Sequence, residues 1–138
     1  MNRNIRVLLL ICVILIIVYA AYYFMQSQTA DSELGYGDIT VEEAVRLIAE
    51  NPGLVILDVR TEAEFKEGHI EGAINIPVEE LQGRLVEINP VDEFLVYCRT
   101  GNRSATAVGI LEQNGYSRLY HMEGGIVAWT GAGYPTVK

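Results

Sequence analysis

Two short runs without a polar side chain constrain this chain more than any other feature. Leu54-Val55-Ile56-Leu57 and Phe94-Leu95-Val96-Tyr97 are continuous apolar stretches, the pattern of strands covered on both faces. Each is followed by a stretch with helical spacing. Strands that alternate with helices build a parallel sheet with helices on both faces, because a parallel return needs a crossover. Ligands bind such sheets beyond the carboxyl ends of the strands. Asp58 ends the first run and Cys98 the second, so an acid and a thiol are predicted at one edge.

The other elements fit the same α/β class. Thr40 with Glu43 and Thr61 with Glu64 each have the form of a capping box, Thr followed three residues later by Glu. The first opens a helix with Val41, Ala44, Val45 and Ile48 on one face; the second opens a short helix to Glu67. Ala73 to Pro77 reads as a short strand closed by proline. Glu79 to about Ile88 is amphipathic through Leu81, Leu85 and Ile88. A helix from Ser104 to about Asn114 is predicted to turn Ala105, Val108 and Leu111 inward. Leu119-Tyr120 is a further strand, and a last short helix carries Trp129, read as a core residue.

The amino-terminal part is different. Val7 to Met25 is a run of 19 uncharged, mostly apolar residues, preceded by Arg3 and Arg6. As a helix it would reach about 28 Å, close to the hydrocarbon thickness of a bilayer. Tyr19, Tyr22, Tyr23 and Phe24 stand at its far end, where an aromatic belt would lie. The expectation is therefore a cytoplasmic segment over residues 1–6, a transmembrane anchor over 7–25, a linker over 26–38 and a folded domain over 39–138. Basic residues before the span and acids after it put the domain outside the cytoplasm, in the periplasm or at the cell exterior. The alternative is secretion after cleavage of a signal peptide near Ala20.

Charge narrows the partners. The ten Lys and Arg include Arg3 and Arg6, which leaves 8 against 18 acidic residues, a formal −10 beyond residue 25. A nucleic-acid partner would need a basic face, and this domain has none to offer. Cys12 and Cys98 are the two cysteines, one in the apolar run and one in the domain, and no CxxC or Cys/His cluster suits a metal. His69 and His121 are read as hydrogen-bonded structural residues.

In that acidic body, Cys98 ends a strand and faces a helix start across Arg99-Thr100-Gly101-Asn102-Arg103. A helix amino terminus and nearby guanidinium groups lower a thiol pKa. The N–H groups of the loop can converge on an anion. Cys98 is therefore the candidate nucleophile, with Arg99, Thr100, Gly101, Asn102 and Arg103 around the incoming group. Asp58, Arg60, Glu64 and Ser104 are candidate supports.

Three stretches carry a family resemblance. Leu57 to Pro77, with Asp58-Val59-Arg60 and Gly68-His69-Ile70, is similar to the first signature of the single-domain rhodaneses, thiosulfate-type sulfurtransferases. Cys98-Arg99-Thr100-Gly101-Asn102-Arg103-Ser104 resembles their active-site loop, and Glu123-Gly124-Gly125 through Pro135 resembles their carboxyl-terminal signature. The resemblance spans Ile39 to Pro135. It implies that Cys98 accepts a sulfane sulfur as a persulfide, that Arg103 closes the loop, that Asp58 lies near it, and that Arg60 and Glu64 form a structural ion pair. It implies no cofactor, a small anionic donor such as thiosulfate, and a thiol or cyanide acceptor. Phosphatases of the same fold place five residues between Cys and Arg. Here four intervene, which favours sulfur over phosphate.

The reading from sequence is thus an exported, membrane-tethered sulfurtransferase acting through a Cys98 persulfide. A rhodanese-like sulfur-carrier or binding module without significant turnover is the alternative.

Overall fold

The structure, a computed structural model, describes residues 2–29 and 36–138. The chain divides into two compact units, Met1–Gly35 and Tyr36–Lys138.

The first unit holds one helix, α1 (Arg3–Thr29). Its residues 8–23 are exposed. Among the described residues no helix is long and apolar enough to cross a membrane. This corrects the expected transmembrane anchor over residues 7–25, the membrane as a partner, and the localisation drawn from them. The predicted linker also begins later, since α1 carries on through Thr29. Its residues 30–35 lie outside the described residues.

The second unit is an α/β domain. In chain order it contains β1 (Gly37–Ile39), α2 (Val41–Glu50), β2 (Val55–Asp58), α3 (Glu62–Glu67), β3 (Ile74–Asn75), α4 (Val78–Arg84), a single 3₁₀ turn (Leu85–Glu87), β4 (Phe94–Tyr97), α5 (Asn102–Gln113), β5 (Leu119–Met122) and α6 (Gly125–Gly131). The five strands form one parallel sheet in the order β1-β5-β4-β2-β3. Both predicted capping boxes are present: Thr40 and Thr61 each accept from the third helical N–H, while Glu43 and Glu64 accept from the cap N–H in return.

The two apolar runs sit side by side at the centre, with Leu57 opposite Val96 and Asp58 opposite Tyr97. Leu57, Val59, Phe94, Val96 and Cys98 turn to one face, where they pack with Leu81 of α4 and with Ala107 and Leu111 of α5. The alternate residues Ile56, Asp58, Leu95 and Tyr97 are buried too, so both faces of the central strands are covered. Trp129 is buried and its indole N–H donates to the Pro135 carbonyl at 2.9 Å.

Two details differ from expectation. Helix α5 starts at Asn102 and buries Ser104, Ala107 and Leu111, whereas Ala105 is exposed. On that side the Ser104 hydroxyl reaches the Cys98 sulfur and the Gly101 carbonyl. The amphipathic stretch after Pro77 breaks into α4 and the 3₁₀ turn, which still bury Leu81 and lead to buried Ile88.

Candidate active site

Strand β4 is buried along its whole length and delivers Cys98 to its carboxyl end. The chain then turns through Arg99 and Thr100 to Gly101, whose φ of +111° is a left-handed conformation that suits glycine. That turn aims the Gly101 N–H at the Cys98 Sγ, 3.1 Å away. Ser104, fully buried on the first turn of α5, donates its hydroxyl to the same sulfur at 3.3 Å. Burial pushes the thiol up, but hydrogen bonds from the Ser104 hydroxyl and from the N–H groups of Ser104, Gly101 and Thr100 outweigh it. The Cys98 pKa lies below its ordinary value. The amides at the helix start act as expected, and the Ser104 hydroxyl adds to them.

The loop is held from behind by α6. Ile126 N–H donates to the Cys98 carbonyl at 2.9 Å and Val127 N–H to the Arg99 carbonyl at 3.1 Å. Gly125 makes this approach feasible, because a Cβ there would lie 2.6 Å from the Arg99 carbonyl group.

Arg103 does not project free toward an anion. Its guanidinium holds Glu64 in a two-pronged pair at 2.7 and 2.8 Å, tying the first turn of α5 to α3. Hydrogen bonding to Arg103 keeps the Glu64 carboxyl down at about 2. The expected Arg60–Glu64 pair is therefore rearranged. Arg60 instead chelates Asp58 in the interior, its Nη 2.6 Å from one carboxylate oxygen, and donates to the Gly68 carbonyl at 2.7 Å. The Arg60–Glu64 pair was what the family resemblance implied; in this chain Arg103, 39 positions away, takes Glu64. Asn75 completes this support by donating to the carbonyls of Asp58 and Arg60, both at 2.9 Å.

Arg99 and Thr100 are exposed on the loop, as is Asn102, which starts α5. Arg99 lines a cleft of about 340 Å³ with Arg60, Glu64, Glu67 and Ile126, a cleft that Cys98 does not line. His69 stacks on Phe65 at 3.7 Å and serves the fold.

His121 was missed. It lies on β5 with Nε2 2.8 Å from the Ser104 Oγ and 3.2 Å from the Gly101 carbonyl oxygen. Its Nδ1 donates to Asp38 at 2.8 Å. Parallel pairing of β1 with β5 sets Asp38 opposite His121. A lone histidine and an acid 83 positions earlier give no local signal in a sequence.

A parallel α/β domain with an acidified cysteine, cradled by backbone amides at the carboxyl edge of its sheet, defines a thiol-centred α/β protein. The Rhodanese-like domain family matches residues 40–132, and the chain belongs to that family. A sulfurtransferase of Allochromatium vinosum is 35% identical over 100 residues, covering 72% of this chain and 94% of that protein. Thiosulfate sulfurtransferase 18 of Arabidopsis thaliana is 35% identical over 111 residues, covering 70% of this chain and 80% of that protein. The crystal structure of a rhodanese-related protein from Thermoplasma volcanium superposes with a TM-score of 0.67 at 36% identity, covering 74% of this chain and 98% of the other. These relatives support sulfur transfer as the general kind of activity.

Proposed function

We propose that the protein moves sulfane sulfur from thiosulfate, or from a persulfide donor, to a thiophilic acceptor through a persulfide on Cys98. The observation that carries this reading is the Cys98 sulfur held by the Gly101 N–H and the Ser104 hydroxyl, with its pKa lowered. A thiolate is the nucleophile such a reaction needs.

The Cys98 thiolate attacks the outer sulfur of thiosulfate. The S–S bond of thiosulfate breaks and sulfite departs with its electron pair. Cyanide or an acceptor thiolate then attacks the terminal sulfur of the persulfide, and Cys98 leaves as thiolate. The loop N–H groups that hold one sulfur hold the second as charge moves outward, and they need little reorganisation to do so. Arg99, exposed on the loop next to Cys98, attracts the dianion. Arg103 fixes the loop through Glu64 rather than binding the donor. Asp58 and Arg60 are buried scaffold, and Thr100 and Asn102 contribute backbone. The Arabidopsis relative named for thiosulfate favours that donor.

Carriage of sulfur without turnover is favoured by one observation, that Cys98 is only 1% exposed. One experiment separates the readings. After exposure to thiosulfate, the Cys98 peptide gains one sulfur atom by mass spectrometry, and addition of cyanide releases thiocyanate repeatedly. A single release without turnover leaves a carrier. No mass gain, or thiocyanate formation that survives Cys98→Ser, ends the proposal.

A further inference from the structure

Four side chains from four parts of the domain form one continuous line. Asp38 of β1 accepts from His121 Nδ1 at 2.8 Å, His121 Nε2 lies 2.8 Å from the Ser104 Oγ, and the Ser104 Oγ lies 3.3 Å from the Cys98 Sγ. The outer end is open, with the Asp38 side chain 68% exposed, and the inner end is closed, with Ser104 fully buried. Because the Asp38 carboxylate only accepts, Nδ1 of His121 carries a proton, and Nε2 is the atom that changes state.

We propose that Asp38, His121 and Ser104 are a proton relay for Cys98, through which thiol and histidine exchange one proton without any side chain moving. In one state Cys98 is a thiol that donates to the Ser104 oxygen, and the Ser104 hydroxyl donates to a neutral His121 Nε2. In the other, the thiol proton has passed to the Ser104 oxygen as the hydroxyl proton passed to Nε2. The products are a thiolate that accepts from Ser104 and an imidazolium whose Nε2–H faces Ser104 and the Gly101 carbonyl, 3.2 Å away. One proton leaves sulfur and one arrives at nitrogen, so charge is conserved within the line. His121 and Asp38 act through Ser104 and are positioning residues.

Other charges also face this line. Arg103 of α5 faces the Cys98 sulfur, bound to Glu64 of α3 and facing Glu79 of α4 in turn. These groups take no part in the proton exchange, whereas the histidine couples its own charge to that of the thiol.

The relay needs only that Cys98 ionises, as the proposed transfer does. Its test requires no sulfur donor, so the two readings fail separately. The rate of alkylation of the Cys98 peptide by iodoacetamide, followed apart from Cys12, is measured on the full chain from pH 4 to 9. His121→Gln keeps an amide donor near Ser104 but cannot take a proton. It is expected to shift the thiol profile upward by about one pH unit, slowing alkylation near pH 6 about tenfold, and Asp38→Asn is expected to shift it about half as far. A His121→Gln profile that superposes on the wild type overturns the relay. A second measurement does not depend on that variant folding. The His121 ring resonance of the wild type is titrated by NMR before and after Cys98 is alkylated. Loss of the thiolate is expected to move the ring nitrogen shifts near pH 6 toward those of the neutral imidazole, and unchanged nitrogen shifts overturn the relay.

Discussion

Glu64 and Arg103 clamp the candidate active-site loop from outside. Two hydrogen bonds of 2.7 and 2.8 Å join the N3 carboxylate of α3 to the first turn of α5, and the same Glu64 oxygen that meets Arg103 closes the capping box on Thr61. One carboxylate thus fixes a helix start and the helix that carries the loop. Both side chains are less than one-third exposed, so solvent weakens the pair only in part.

That clamp makes stability depend on acid. Glu64 is held at about 2 in the folded chain against an ordinary 4.5, so its contribution is fully present above about 4.5 and is lost as pH falls toward 2. After allowance for screening, it amounts to on the order of 2 kcal/mol. Urea denaturation of wild type and Glu64→Gln is expected to differ by this amount at pH 7 and to converge near pH 2. A constant difference across that range would show that the carboxylate is not what Arg103 holds.

Arg103 and Glu64 act on the loop as one unit, and their substitutions are expected to be non-additive. Arg103→Ala lowers kcat/KM for thiosulfate by at least about tenfold, Glu64→Gln has a similar effect, and the double variant costs little more than either. Arg103→Lys keeps the charge but loses the fork, and it recovers only part of the activity. Steady-state thiocyanate formation reads all four. Strict additivity would mean that Arg103 reaches the donor on its own.

Asp58 and Arg60 form a second pair that is almost wholly buried, at 0% and 5% exposure, beneath the carboxyl end of β2. Asp58→Asn leaves a guanidinium without its counter-charge in the interior, a change that costs about 3–5 kcal/mol. The midpoint of urea unfolding should fall accordingly with m unchanged. A drop under about 1 kcal/mol would mean that Arg60 finds the Gly68 carbonyl and water a sufficient replacement.

The parts of this molecule that a sequence shows are the parts with local rules. The apolar runs of β2 and β4 specified central parallel strands because both faces must be covered. The two capping boxes specified helix starts because N-cap and N3 are three residues apart. Cys98 and its loop were legible for the same reason: strand end, turn and helix start are consecutive. Long-range pairing was not legible. Glu64 had Arg60 four residues before it, yet took Arg103, and the short strand β1 stayed hidden in a polar, glycine-containing segment until its pairing with β5 brought Asp38 beside His121. The apolar run near the amino terminus shows the opposite error, where a strong local pattern predicted an anchor that no described helix is long and apolar enough to provide.

Two glycines offer a contrast that tests how tightly the loop is backed. Gly125 has φ of +57°, and a Cβ there would fall 2.6 Å from the Arg99 carbonyl group, a fixed piece of backbone. Gly125→Ala must therefore push α6 away from the loop and loosen the hydrogen bonds from Ile126 and Val127, at a cost of about 2–3 kcal/mol. Gly83 stands inside α4 with nothing within 4 Å of its would-be Cβ. Gly83→Ala should stabilise by about 0.5–1 kcal/mol, since alanine has less backbone freedom to lose on folding. Thermal unfolding is expected to fall by several degrees for the first and rise for the second, and only the first should slow alkylation of Cys98. A Gly125→Ala protein with wild-type stability and thiol reactivity would mean that α6 does not hold the loop in place.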